Sequence, residues 1–171
     1  MQVRKWIVVL VAGMMMGVVT GMAASVTQGS TATFSVPTLI RLSLTTATVD
    51  FGALTEADYD RGYGEIVNAQ GVAIWSNKDW TLTVAADAAT WTAPWAKPST
   101  DLLWRAATTE PSHVDSYNGS FAGMDVSPAQ VAAGKRGGNI RLSMDFRVLV
   151  SWENDPAGDY SLGFTYTLTA P

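Results

Sequence analysis

Ile140-Arg141-Leu142-Ser143-Met144-Asp145-Phe146-Arg147-Val148-Leu149-Val150-Ser151-Trp152 is the stretch that decides the fold. Large apolar residues fall on every second position, and Arg141, Ser143, Asp145, Arg147, Leu149 and Ser151 fill the alternates. A strand turns successive side chains to opposite faces, so this period of two predicts a half-buried antiparallel strand. At ~3.3 Å per residue it would be roughly 40 Å long, unusual for a small domain.

Moving toward the C-terminus, Tyr160, Leu162, Phe164, Tyr166 and Leu168 alternate with Ser161, Gly163, Thr165, Thr167 and Thr169. Between the two runs, residues 153–159 have a turn composition, Glu-Asn-Asp-Pro-Ala-Gly-Asp. The simplest expectation is a long C-terminal hairpin that pairs the two runs. A charge at Phe146 or Phe164 is then expected to unfold the domain, because it would sit unpaired in the core.

Working back from the long run, shorter strands are expected at about Ala32–Val36, Ile40–Thr45, Thr48–Phe51, Ile66–Trp75, Trp80–Ala85, Leu102–Ala106 and Ser120–Met124. Pro37 interrupts the first pair, an acidic loop begins at Glu56, and Ser76-Asn77-Lys78-Asp79 separates two strands. One helical turn is expected in Val126–Ala133, where Ser127 can cap and Pro128 suits a first helical position. Seven to nine strands without an amphipathic helix predict an all-β fold, an antiparallel β-sandwich of immunoglobulin-like kind, with a barrel as second choice.

The N-terminus has a different character. Arg4 and Lys5 precede an apolar run from Trp6 to Val19, followed by Gly21, Ala23 and Ala24. This three-part layout predicts a secretory signal peptide over residues 1–23, cleaved near Ala24 or Ser25. The expected mature chain, residues 24–171, forms one domain with no later membrane span. Removing the leader takes the formal charge from −4 to −6, which argues against nucleic acid and anionic lipid as partners.

The chain has no cysteine, so neither lipidation nor a disulfide is available, and an exported chain without disulfides suits a bacterial envelope. Thr169-Ala170-Pro171 is not a sortase-type ending, and the polar stretch Thr27–Thr33 does not continue a type IV pilin helix. Retention at a cell surface is therefore expected to be non-covalent.

No constellation supports catalysis, and the chain is expected to be no enzyme and to need no cofactor. His113 is the sole histidine. Glu110, Ser112, His113 and Asp115 are neighbours in one loop, where they cannot align as a nucleophilic triad. One imidazole without a thiol makes a tetrahedral zinc site unattainable short of three carboxylates. The acidic loops at Glu56–Asp60 and Glu153–Asp159 offer oxygen ligands without the spacing of a calcium loop, so no metal site is expected.

Tryptophan is abundant, with six outside the leader. Trp80, Trp104 and Trp152 share the parity of apolar neighbours and are expected in the core. The parity of Trp75 is opposite to that of Val72 and Ile74. Trp91 and Trp95 lie in Ala89-Thr90-Trp91-Thr92-Ala93-Pro94-Trp95-Ala96-Lys97-Pro98, which has no strand alternation. They are candidate ligand contacts, a flat aromatic platform for sugar rings or a protein partner, or else they plug one end of the sandwich.

Trp80-Thr81-Leu82 with Thr83-Val84, Phe51-Gly52 upstream, and Tyr160-Ser161-Leu162-Gly163-Phe164-Thr165-Tyr166-Thr167-Leu168 running to Pro171 resemble the signature motifs of WxL-type cell-surface domains. Tyr166 stands where that family usually has tryptophan, and the closing proline comes one residue early. The resemblance implies a secreted β-rich domain attached non-covalently to the cell wall through peptidoglycan. It adds Trp80 and Tyr166 to the candidate ligand contacts, against their reading as core.

The expectation is a secreted, non-enzymatic surface-binding or adhesion module whose partner is cell-wall polysaccharide, peptidoglycan or another envelope protein. The alternative is a structural subunit of a pilus, fibre or surface layer, a homo-oligomer built by edge-strand pairing.

Overall fold

Alternation along the chain becomes two packed sheets in a computed structural model that describes residues 26, 28–108 and 112–171. The expected signal peptide lies outside these residues. The chain divides into two units, residues 1–35 and residues 36–171. In the first unit, the described residues form no helix or strand and all are exposed.

The second unit is an antiparallel β-sandwich, as expected, with nine strands among the described residues. They are β1 (Ile40–Leu44), β2 (Tyr63–Ser76), β3 (Trp80–Ala86), β4 (Leu102–Thr108), β5 (Val114–Tyr117), β6 (Ala122–Gly123), β7 (Ala129–Gly134), β8 (Gly137–Leu149) and β9 (Phe164–Thr169). One sheet has the order β1-β2-β8-β4-β6 and the other β5-β7-β3-β9. Between β2 and β3 the chain changes sheets at Asn77-Lys78-Asp79, a turn closed where the Ser76 hydroxyl donates to the Lys78 carbonyl at 2.7 Å.

The strand first read from its alternation is the centre of the larger sheet, flanked by β2 and β4. Ile140, Leu142, Met144 and Phe146 are buried with Trp80, Leu82 and Val84 in one core cluster, and Val148 on the same parity is buried too. Phe146 meets Phe164 across the sandwich with ring centroids 5.4 Å apart. Asp145, on the opposite parity, is also buried, because it accepts hydrogen bonds from the Asn68 backbone amide and from Arg105 Nε, each at 2.8 Å. Asn68 sits at positive φ where the β2–β8 register shifts.

Several expectations are corrected. The C-terminal run does not form a hairpin with β8. β9 pairs with β3 in the opposite sheet, Leu82 facing Leu168 and Val84 facing Tyr166. Residues 150–163 are long enough to cross from one layer to the other, so the turn-like composition between the runs marks a change of sheet. Trp152 leaves the core and is 64% exposed, because β8 ends at Leu149 before its parity can carry that far. Its ring stacks on Tyr59, and its indole nitrogen donates to Asp60.

Residues 126–133 hold no helical turn; Ala129–Gly134 is β7, paired on both sides by β3 and β5. Thr48–Phe51 and Ala32–Val36 are not strands either. The acidic loop instead contains a helix, α1 (Glu56–Arg61). At its start the Thr55 amide and hydroxyl both donate to one Asp58 carboxylate oxygen, at 2.8 and 2.7 Å. These bonds hold the Asp58 carboxyl below its ordinary pKa. Gly62 ends the helix with the positive φ that only glycine adopts freely.

Candidate functional site

Among the described residues β1 has β2 as its only strand neighbour, and β9 has only β3. These two edges belong to opposite sheets, and between them runs a trough of about 1170 Å³. Leu42 and Leu44 of β1, continued by residues 47–54, form one wall; Leu162, Phe164 and Tyr166 form the other; Leu102 and Val148 line its depth. Leu42, Phe51, Leu162, Phe164 and Tyr166 are partly buried and pack against the core.

The first wall is a loop for local reasons. The Thr46 hydroxyl accepts from the Thr48 amide and donates to the Thr48 carbonyl, and Asp50 Oδ1 accepts from the Gly52 amide at 2.8 Å. Side chains that bond their own backbone compete with a ladder, which is why the alternation of Thr48–Phe51 makes no strand. Gln70 ties the loop to β2 by donating Nε2 to the Thr46 carbonyl at 2.7 Å.

One end of the trough is locked by a buried ammonium. Lys97 is 2% exposed, and its Nζ donates to Asp155 Oδ1 at 2.8 Å, Asp101 Oδ2 at 2.9 Å and the Leu149 carbonyl at 2.7 Å. Asp155 also accepts the Ser151 amide. The loop carrying Trp91 and Trp95 is further fixed to the β8–β9 connection by reciprocal backbone bonds between Thr92 and Ser161, at 2.9 and 3.0 Å. These bonds hold the loop to the wall that leads into β9. Nothing in the apolar spacing marked Lys97. Its one visible signal was a lysine set between Trp95 and Pro98 in an otherwise apolar stretch.

The candidate ligand residues separate. Trp91 and Tyr166 both line the trough. Trp95 borders a smaller hollow beside Asp155, with Lys97 Nζ 5.9 Å from its ring centroid. Trp80 is 2% exposed in the core and donates its indole nitrogen to the Lys135 carbonyl at 2.9 Å. Trp104 is equally buried, and Trp75 lies beneath the Arg41 guanidinium, 3.9 Å from its centroid.

Trp91 Nε1, the Tyr166 hydroxyl and Gln70 Oε1 are shielded from water without a hydrogen-bond partner among the described residues. Burial pushes the Tyr166 phenol well above its usual pKa.

Other loops offer less. His113 is half-buried, Ser112 and Asp115 are exposed, and Glu110 lies outside the described residues. Among the described residues no three carboxylates or imidazoles gather to hold a metal ion. Asp58 and Asp60 of one acidic loop and Asp155 of the other are engaged by protein donors. No helix among the described residues is long and apolar enough to cross a membrane.

Comparison with models of protein families and with curated proteins gives no match for this chain.

Proposed function

We propose that this protein is a secreted, non-enzymatic module of the bacterial envelope, held there by its own folded surface, and that it works as a structural subunit joined to its neighbours by edge-strand pairing. The observation that carries this reading is the apolar trough flanked by two strands with one neighbour each. A bare strand edge is a template for another chain, and proteins that avoid such pairing place charges or proline on it. β9, Phe-Thr-Tyr-Thr-Leu-Thr, carries neither. A trough lined by leucine and aromatic rings favours an apolar strand as occupant, since burial of such surface drives association.

Sedimentation velocity of the processed chain over a hundredfold concentration range tests this. Concentration-dependent assemblies are expected. Leu44→Glu should abolish them, because Leu44 is 38% exposed on the trough wall and can take a charge without unfolding the sandwich. A chain that stays monomeric throughout would end the reading.

A second reading, a peptidoglycan-binding module as the WxL resemblance implies, draws on a different observation. Trp91 and Tyr166 bring aromatic side chains to the trough, beside Asp87, Asp159 and Ser161, and glycans bind where aromatic surface and a few placed hydrogen-bonding groups combine. Under this reading the protein pellets with purified peptidoglycan and loses that on Trp91→Ala.

A further inference from the structure

The segment ahead of β1 has the composition that the trough requires. No charged residue occurs from Val26 to Ile40. Ala32, Phe34 and Val36 alternate with Thr31, Thr33 and Ser35, so an extended chain would put three apolar side chains on one face and three hydroxyls on the other. β9 has the same arrangement, with Phe164, Tyr166 and Leu168 against Thr165, Thr167 and Thr169. Yet residues 31–36 belong to no strand, and Phe34 is 90% and Val36 63% exposed. An exposed phenylalanine in an uncharged, alternating segment is a strand without its sheet.

We propose that residues 31–36 of one copy lie in the trough of a second copy, adding a strand along β9 with Phe34 turned toward the core. This names the occupant of the trough and rests on the edge-pairing reading above. The lengths agree: six extended residues span ~20 Å, the length of β9. The absence of charge agrees as well, since nothing ionised must leave water to enter.

The root of the arm is fixed to the sandwich. Asn77 donates Nδ2 to the Pro37 carbonyl at 2.8 Å and accepts the Leu39 amide on Oδ1 at 2.9 Å. Asn77 thus grips Pro37 and Leu39 from both sides and holds them to the turn between β2 and β3. Because the donated arm and the receiving trough are different surfaces, the contact is head to tail. Each copy gives once and receives once, and the product is an open chain.

Two single variants of the processed chain test this. Phe34→Asp spoils the arm and leaves the trough, whereas Leu44→Glu spoils the trough and leaves the arm. Both sites are exposed, and far-ultraviolet circular dichroism should show the wild-type fold. Each variant alone should be monomeric by light scattering coupled to size exclusion, and an equimolar mixture should give one-to-one heterodimers and nothing longer.

Two monomers that ignore each other when mixed would overturn the proposal. So would a Phe34→Asp variant that assembles like wild type while Leu44→Glu does not, although edge pairing itself would then survive. A wild-type monomer would remove the reading beneath. As an independent readout in a chain without cysteine, Phe34→Cys copies should form disulfide heterodimers faster with Leu44→Cys than with Ser127→Cys, an exposed site outside the trough. Equal rates for the two pairs would count against the arm as occupant.

Discussion

Lys97 joins two stretches of chain that the pattern of apolar residues would never connect. Its ammonium and the Asp155 carboxylate are taken almost wholly out of water, with Asp101 partly exposed beside them, and such a pair is costly to break from one side because the remaining charge stays buried. Lys97→Met is expected to lower the unfolding free energy by about 3–5 kcal/mol, measured by urea denaturation. Adding Asp155→Asn should recover part of the loss by removing the orphaned carboxylate.

Tyr166 makes a pH-dependent prediction. Burial raises its pKa in the folded state, so the folded chain keeps a proton that the unfolded chain releases near the ordinary phenol value of about 10. Stability from this source is intact below that value and declines as pH rises through and beyond it. Tyr166→Phe should abolish that alkaline decline and, by deleting an unpartnered hydroxyl, leave neutral stability equal or higher by up to about 1 kcal/mol. Thermal melts from neutral to alkaline pH would show both.

Single residues also mark the reach of a parity argument. Trp80 and Trp104 obey it, being 2% and 1% exposed. Trp152 does not, because parity holds only while the strand continues.

Among the elements, those with clean alternation were legible from sequence: β2, β3, β4 and β8 all have their expected faces buried. β7 was hidden for a physical reason. Its Ala-Gln-Val-Ala-Ala-Gly sequence has little side-chain volume and leans toward helix by local propensity. A register shift against β3 also buries Val131 and Ala132 side by side, which destroys the period of two. Tertiary pairing on both edges overrides the local preference.

The last residue of β7 shows how tight that pairing is. A Cβ on Gly134 would lie 2.0 Å from the His113 carbonyl oxygen and 2.7 Å from the Trp80 ring. Gly134→Ala is therefore expected to destabilise by about 1–3 kcal/mol or more. Gly138→Ala, whose nearest contact is an ordinary 3.5 Å to Trp75, should fall within about 0.5 kcal/mol of wild type. Paired chemical denaturation curves separate the two. The helix α1 was missed for the opposite reason: it is only six residues long and buries no side chain, so its acidic sequence gave no periodic signal, though Thr55 and Asp58 are a readable cap.

For the whole molecule, composition and alternation led to the right architecture and to the wrong wiring. A period of two says that a run has one buried face; it does not say which strand will lie beside it. β8 and β9 each bury an apolar face, and the two faces meet across the sandwich at Phe146 and Phe164, where a hairpin would have set them side by side. The trough follows from that wiring and could not be read beforehand, because it depends on two edges from opposite sheets lying next to each other. Trp91 and Tyr166 were named from sequence for other reasons, and the fold brings both to that trough.

The pairing of β9 with β3 has a bearing on timing. Thr81 waits for Thr169 and Ala86 for Phe164, so a chain that emerges N-terminus first offers its arm long before it owns a second trough wall. If the arm of one copy fills the trough of another, a half-emerged copy can donate and cannot receive. On that proposal, readiness to accept a neighbour arrives only when β9 pairs with β3.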